Sequence, residues 1–199
     1  TDKGSPLLKA ITLYQSLLKF HADDDDRTAW LDADLARLVF GNNKAFGEEK
    51  GARYKAALKR MADGNVEHQI SSRALHHIAV ALQGEGELVA AHKTATEGRN
   101  RFPNSVGGRR CHNLVEQIEQ PSAQITTERV WNNPIPTINV NYKNLTKIYF
   151  RVVPYDWEQR LNRKAVGARR PEYLDQNERR ALLAKKAVAE WSADLPATE

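Results

Sequence analysis

Over the first 120 residues, apolar side chains recur at steps of three and four positions, which is the spacing of one face of an α-helix. Most of the intervals between these stripes contain glycine, asparagine, proline or a run of charged residues. Gly41 and Asn42 are expected to close the second helix, because both residue types tolerate a positive φ. The pattern predicts six helices with short connections, arranged as antiparallel pairs. The six stripes begin at Leu7, Trp30, Tyr54, Leu75, Leu88 and Ser105.

One pair of these helices carries a more specific pattern. Counted from Ser72, small residues stand at positions 8, 20 and 27, and a proline stands at position 32. These four residues are Ala79, Ala91, Gly98 and Pro103. Two helices cross closely only where side chains are small, and a proline ends the second helix before the next one begins. The spacing resembles a tetratricopeptide repeat. Because a repeat buries its apolar face by stacking on its neighbours, the segment predicts a repeat-like stack.

At Pro121 the pattern of residue types changes from helical to strand-like. Over 124–153, β-branched and aromatic residues replace helix formers, and apolar residues alternate with asparagine in part of this stretch. The runs 138–143 and 148–153 flank a tight turn and predict a β-hairpin, preceded by a strand over 125–131. Because two or three strands do not form a stable sheet alone, we expect further structure to complete or cover them.

Beyond Pro154 the pattern is helical again, with a short helix expected over 157–164 and a longer one over 177–191. We therefore predict a mainly α chain. Repeat-like antiparallel helix pairs form a tetratricopeptide-like segment over 1–120, and 121–199 hold two or three strands with C-terminal helices. The aromatic residues expected to anchor a core or an interface are Trp30, Tyr54, Trp131 and Phe150, with Trp157 and Trp191 over an exposed sheet edge.

Composition narrows the class of protein. The chain has 199 residues, of which 41% are hydrophobic and 28% are charged, and this length is sufficient for one large domain or two small ones. No run of eighteen apolar residues is present, so no transmembrane helix is predicted. One cysteine, Cys111, rules out an internal disulfide framework and a metal site made of several thiolates. The chain opens on Thr1 without a signal-peptide pattern, from which we expect either an engineered fragment or a processed product.

The net charge of +5 is concentrated in the later part of the chain. It runs from −2 over 1–50 to +3 over 51–120 and +4 over 121–199. A basic surface attracts anions, and one alternative function is therefore nucleic-acid binding. No basic run is interleaved with the stacking aromatics that such binding requires, so we expect solvated helix faces and no nucleic-acid partner. The basic residues of that alternative are Arg160, Arg163, Lys164, Arg169 and Arg170.

The acidic run 23–26 is the most conspicuous polar cluster. As a calcium loop it would need glycine at its sixth position, where Thr28 stands, so it is better explained as favouring a helix N-terminus. Two carboxylates follow it closely. Asp34 is three residues before Arg37 and could form an ion pair with it, and the same spacing, together with Asp32, could instead mark a contact between helices.

Adjacent nucleophilic or metal-binding residues occur at His76–His77 and at Cys111–His112. Neighbouring side chains on a helix diverge by about 100°, so neither pair can easily share a metal ion, and a half-buried thiol is the simpler interpretation of Cys111. Phosphate-loop, nucleophile-elbow and zinc-helix motifs are absent from the sequence. We therefore assign no catalytic, cofactor-binding or metal-ligating residue, expect no cofactor, and predict that the chain is not an enzyme.

Three stretches, taken in order, suggest a family. They are Leu-Asp-Ala-Asp-Leu-Ala-Arg-Leu at 31–38, Phe-Pro-Asn-Ser at 102–105 with Cys-His-Asn-Leu at 111–114, and Val-Asn-Tyr-Lys-Asn-Leu-Thr-Lys-Ile-Tyr-Phe-Arg-Val at 140–152. Their order resembles the N-terminal region of bacterial alpha-2-macroglobulin-like proteins of the large type found in Bacteroidetes. In that family a helical, repeat-like segment precedes the first macroglobulin-type β-sandwich domain, so the resemblance implies that 140–152 form early strands of such a sandwich.

The resemblance implies a non-catalytic scaffold or protein-interaction segment of a larger protein of a protease-inhibitor-type family, located in the periplasm or cell envelope after removal of a signal peptide. The partners it implies are adjacent domains of the parent chain, proteases or envelope proteins. Relatives that capture proteases covalently use a Cys-Gly-Glu-Gln thioester. Cys111 is followed by His112 and Asn113 and cannot be that cysteine, so no catalytic residue is carried over. The alternative function is a free-standing helical-repeat adaptor that binds peptides.

Overall fold

The computed structural model of the chain describes residues 4–127, 137–156, 158 and 174–197. The chain divides into two compact units, Thr1–Gln120 and Pro121–Glu199. The described part of the first unit has helices as its regular structure, and the described part of the second combines four strands with one helix. This mainly helical architecture with a small antiparallel β part confirms the predicted fold class.

Each of the six predicted apolar stripes lies on a helix of the first unit. These helices are α1 (Pro6–Phe20), α2 (Thr28–Lys44), α3 (Lys50–Gly64), α4 (Ile70–Gly84), α5 (Leu88–Arg101) and α6 (Val106–Glu119). Pro6 opens α1, where the N–H that proline lacks has no intrahelical partner to lose. Ser105 caps α6, because its hydroxyl oxygen accepts a hydrogen bond from the Gly108 amide at 3.0 Å.

The second helix extends past its predicted end. Gly41 lies inside α2, and its carbonyl oxygen accepts a hydrogen bond from the Ala45 amide at 2.8 Å. The positive φ that requires glycine occurs later, at Gly47, where φ is 106°. The prediction that Gly41 and Asn42 close the helix was wrong, because a glycine inside a helix costs only about 1 kcal/mol and the surrounding hydrogen bonds outweigh it.

The core of the first unit is centred on α4. One buried cluster joins α4 to α2 and α3, and a second joins α4 to α5 and α6. The largest fully buried side chains of the first cluster are Leu35, Leu58, Ile70 and Leu75. Burying each of these side chains stabilises the fold by roughly 1.5–3 kcal/mol. Trp30 and Tyr54 are half-buried against the same cluster, whereas α1 has no buried residue.

The small residues predicted to allow close helix crossings lie at such crossings. Ala79 and Ala91 are fully buried between α4 and α5. A Cβ atom added to Gly98 would lie 2.6 Å from Sγ of Cys111, and one added to Gly107 would lie 2.7 Å from the carbonyl carbon of Ser72. These distances are too short for real atoms, so glycine is what allows α6 to lie against α4 and α5.

The second unit contains two antiparallel ribbons and a helix. Its elements are β1 (Ser122–Thr127), β2 (Ile138–Lys143), β3 (Lys147–Val152), α7 (Gln176–Leu183) and β4 (Ala189–Asp194). β1 pairs with β2, with Ile125 opposite Val140, and β3 pairs with β4, with Phe150 opposite Trp191. Of the described residues of this unit, none is fully shielded from solvent.

The predicted hairpin of β2 and β3 was wrong. The alternation along β2 is as expected, since Ile138 and Val140 are half-buried and Asn139 is exposed. Each strand nevertheless pairs with a segment outside the hairpin, so the chain passes from one ribbon to the other between them. Asn144, with φ of 54°, lies in this connection. Alternation assigns the faces of a strand but not its partner, and for this reason the sequence pattern was insufficient.

The long C-terminal helix was also predicted incorrectly. The helical part, α7, ends at Leu183, and Ala189–Asp194 form β4. Trp191 stacks on Phe150 with ring centroids 5.0 Å apart and an interplanar angle of 10°. An ion pair of 2.7 Å joins Arg151 to Glu190. These cross-strand contacts outweigh the helix propensity of the Ala-rich sequence.

Several predicted features lie outside the described residues. They are the helix over 157–164, the anchors Trp131 and Trp157, and the basic residues Arg160, Arg163, Lys164, Arg169 and Arg170. Within the described ranges, no helix combines the length and apolar character needed to cross a bilayer.

Candidate protein-interaction surface

A cleft opens between the end of α2 and the start of α3. The two helices are joined by 45–49, and the positive φ of Gly47 turns the chain there. The cleft has a volume of about 530 Å³ and a largely apolar wall. The apolar residues of this wall are Leu38, Ala45, Phe46, Tyr54 and Ala57. Phe46 is 94% exposed, which leaves an aromatic ring in water at the cleft.

Charged side chains frame the cleft in fixed positions. Arg37 forms hydrogen bonds of 2.9 and 2.6 Å from its guanidinium to Asp34, three residues earlier on α2. Arg53 forms the corresponding bonds of 3.0 and 2.5 Å to Glu49. Arg37 and Arg53 are both exposed, so these ion pairs add little stability by themselves. They hold two planar guanidinium groups beside an apolar wall, a combination of residue types enriched at protein interfaces.

A second surface lies on α4 and α6. We call it the α4–α6 face, and it consists of Arg73, His76, His77 and Arg110. The two imidazole rings are 5.5 Å apart in an edge arrangement. The pKa of His76 is lowered to about 4, mainly by burial and to a smaller extent by the neighbouring His77 and Arg110. Burial also lowers the pKa of His77, with Arg73 and Arg110 adding to that effect.

Asp32 and Asp34 have different partners. Asp34 pairs with Arg37 within α2, whereas Asp32 forms an ion pair with Arg73 and so joins α2 to α4. Both interpretations of this spacing are therefore realised, one by each carboxylate. The described residues include no group of three or more His, Cys, Asp or Glu side chains arranged to hold a metal ion.

Cys111 is fully buried, so the expectation of a half-buried thiol was wrong. Its Sγ donates to the carbonyl oxygen of Ser72 at 3.5 Å. Burial raises the pKa of the thiol to about 12. The group therefore stays protonated at neutral pH and packs as a small apolar side chain beside Gly98, a position that does not suit a nucleophile.

Within the acidic run 23–26, one carboxylate acts at the start of α2. Oδ1 of Asp26 accepts hydrogen bonds from the Thr28 amide at 2.8 Å and from the Thr28 hydroxyl at 2.6 Å. These bonds lower the pKa of Asp26, led by the side-chain bond. Asp24 instead pairs with His21 at 2.7 Å. The Asp26 contacts agree with the interpretation of a helix N-terminus, whereas the Asp24 pair at the end of α1 does not.

Sequence reasoning missed one contact that resembles a nucleophile beside its base. Oγ1 of Thr28 lies 3.1 Å from Nε2 of His68. However, Nδ1 of His68 accepts a hydrogen bond from the Ile70 amide at 3.1 Å, which assigns the proton of the neutral ring to Nε2. His68 therefore donates to Thr28 and cannot take its proton. No spacing rule marks this pair, since 40 residues separate its members.

Comparison of the chain with protein-family models, with curated proteins and with solved structures finds no match.

Proposed function

We propose that this chain is a non-catalytic protein-interaction segment of a larger, envelope-located alpha-2-macroglobulin-like protein. The observation that carries the interaction role is the cleft between α2 and α3 with the 94% exposed ring of Phe46. An exposed aromatic ring gains by burial against a partner, and aromatic and arginine side chains supply most of the affinity at interfaces. The buried, protonated thiol of Cys111 agrees with a role outside catalysis.

The cleft favours an extended peptide or loop with one large apolar side chain. Its volume of about 530 Å³ lies within the range of sites that enclose a ligand group, roughly 300–1,000 Å³. The apolar wall would receive the anchoring side chain. The guanidinium groups of Arg37 and Arg53 would bind the carbonyl oxygens of the peptide backbone beside it, since each keeps donors in excess of those used by its carboxylate partner.

The macroglobulin-like origin rests on the resemblance of 31–38, 102–105 with 111–114, and 140–152, and the second unit agrees with it. The chain changes ribbon between β2 and β3, as it does where strands belong to the two layers of a sandwich. Ile125, at 50% exposed, and Trp191, at 45%, keep apolar surface that additional strands would bury. Sequencing the parent reading frame tests this part: further β-sandwich domains support it, and a stop codon directly after Glu199 contradicts it.

The alternative, a free-standing helical-repeat adaptor, would use the same cleft. The two proposals differ in the parent reading frame and agree on the site. A short reading frame that ends near Glu199 would favour the adaptor.

Peptide selection tests the cleft. The 199-residue chain is screened against a library of displayed dodecapeptides, and the best binder is synthesised and titrated. We expect Phe46→Ser to weaken binding about tenfold, because truncating an aromatic anchor costs more than about 1 kcal/mol. Phe20→Ser is the matched control, since Phe20 is 78% exposed on α1. Failure to select any binder, or equal losses in the two variants, would contradict the proposal.

A further inference from the structure

The α4–α6 face brings two arginines and two half-buried histidines from two helices to one level. Gly107 lies in the first turn of α6. It is so close to α4 that a Cβ atom placed on it would clash with the backbone of Ser72 and Arg73. Arg110 is three residues after Gly107, and His76 and His77 are three and four residues after Arg73. One helical turn along each helix therefore brings Arg110 beside the two imidazoles. The electrostatic effect of Arg110 on both rings agrees with this placement.

The positive charge on this face is incompletely neutralised. Arg73, with 31% of its side chain exposed, pairs with Asp32 of α2. Arg110 is exposed and makes no ion pair or hydrogen bond within the part of the chain that the structure describes. Nε of Arg73 and Nδ1 of His76 are buried without a hydrogen-bond partner in that same part. The exposed guanidinium of Arg110 thus has donors without an internal acceptor, which is the arrangement that an anionic partner would complete.

We infer that the α4–α6 face binds an acidic polypeptide segment, whose carboxylates pair with the guanidinium groups of Arg110 and Arg73. The inference rests on the proposed protein-interaction function and places a second contact outside the α2–α3 cleft. A guanidinium group binds a carboxylate in a bidentate manner, so two arginines on adjacent helices would engage acidic residues in succession along a peptide.

A polypeptide fits this face better than a nucleic acid. Neither α4 nor α6 contains Phe, Tyr or Trp, so the face lacks the large rings on which bases usually stack, and its two imidazoles are half-buried. Its charge is confined to two arginines, one of them already paired with Asp32. A nucleic-acid backbone is usually followed by a longer track of cations. A short acidic segment needs only a few paired carboxylates.

A labelled peptide tests the inference on the full 199-residue chain. The chain is titrated into a fluorescent dodecapeptide rich in glutamate, and binding is followed by anisotropy at low and at physiological salt. The reference is a peptide of the same length with a scrambled sequence and lysine in place of glutamate. We expect binding of the acidic peptide alone, weakened by salt because exposed charges are screened. Arg110→Gln should weaken it about fivefold, within the range of one surface charge pair.

Arg109→Gln is the matched control. Arg109 is the exposed neighbour of Arg110 in sequence, but its Nη1 donates to the Asn104 carbonyl at 2.7 Å, away from the imidazoles. We expect this variant to bind within about twofold of the wild type, since the removed charge has the same sign but lies off the face. Because both arginines are exposed, neither variant should alter the melting temperature, which circular dichroism verifies.

Three outcomes would overturn the inference. They are no binding at low salt, equal losses in Arg110→Gln and Arg109→Gln, and tighter binding of a single-stranded oligonucleotide than of the acidic peptide. Phe46→Ser separates this proposal from the previous one, because it should leave the acidic peptide unaffected. Loss of that binding in Phe46→Ser but not in Arg110→Gln would assign the peptide to the cleft and overturn the α4–α6 site alone.

Discussion

The hydroxyl oxygen of Thr28 lies 3.1 Å from Nε2 of His68, and this contact joins the start of α2 to the segment that leads into α4. The hydrogen bonds form a chain: the Ile70 amide donates to His68, His68 donates to Thr28, and the Thr28 hydroxyl donates to Asp26. Two helix starts that are distant in sequence are therefore fixed together by one threonine.

Thr28→Val should lower the free energy of unfolding by about 1–2 kcal/mol, since two side-chain hydrogen bonds of ordinary strength are lost without a change of shape. Urea unfolding measures the difference. Thr12→Val is the control, because the Thr12 hydroxyl donates to Leu8 of its own exposed helix at 3.0 Å. We expect the control to change stability by less than about 0.5 kcal/mol. Equal losses in the two variants would show that the contact with His68 contributes nothing.

Gly107→Ala should destabilise the first unit by about 1–3 kcal/mol, because its Cβ would have to displace the α4 backbone at Ser72 and Arg73. Gly41→Ala is the matched control in α2, where nothing lies within 4 Å of the added Cβ. The control should instead stabilise the chain by about 0.5–1 kcal/mol, the propensity difference between alanine and glycine in a helix. Thermal or urea unfolding shows whether each variant is more or less stable than the wild type. A stabilising effect of Gly107→Ala would contradict the close approach of α6 to α4.

Stability should fall as the pH is lowered from about 6.5 to about 4. The pKa of His76 is near 4 in the folded chain, against 6.5 for the unfolded side chain, so the unfolded state binds more protons in this window. The stabilisation is therefore complete above pH 6.5 and is lost as the pH falls towards the folded pKa. The lowered pKa of Asp26 acts in the same direction but at more acidic pH, below the ordinary value of 3.8 for an aspartate.

His76→Gln isolates this effect, because it removes the titrating ring and keeps a polar side chain. The difference in unfolding free energy between pH 7 and pH 4.5 should shrink in this variant. His112→Gln, an exposed substitution on α6, should leave the difference unchanged. If His76→Gln loses as much unfolding free energy between pH 7 and pH 4.5 as the wild type does, another group controls the acid sensitivity.

The helical unit could be predicted from the sequence to a large extent. Apolar stripes located all six helices, because a helix that packs on one side must repeat its apolar residues every three or four positions. The small residues at Ala79, Ala91 and Gly98 indicated where helices cross, since only small side chains fit there. The prediction that α2 ends at Gly41 was wrong, because a glycine can end a helix but does not have to.

The candidate sites were less accessible to sequence reasoning. The exposure of Phe46 depends on how the loop over 45–49 leaves α2, which no periodicity records. The grouping of Arg110 with His76 and His77 depends on the depth at which Gly107 lets α6 approach α4. His76 and His77 drew attention only as an adjacent pair. Their neighbour on another helix could not be identified without the packing.

What the sequence determined by itself is local: the positions of the helices, the alternation along β2 and the change of residue class at Pro121. What only the tertiary structure decided is the choice of partners. β2 and β3 pair with β1 and β4 instead of with each other, and Ala189–Asp194 become a strand because Trp191 meets Phe150. The physical reason is that periodicity reports which face of an element is buried, whereas pairing depends on contacts between segments far apart in the chain, and these outweigh local propensity.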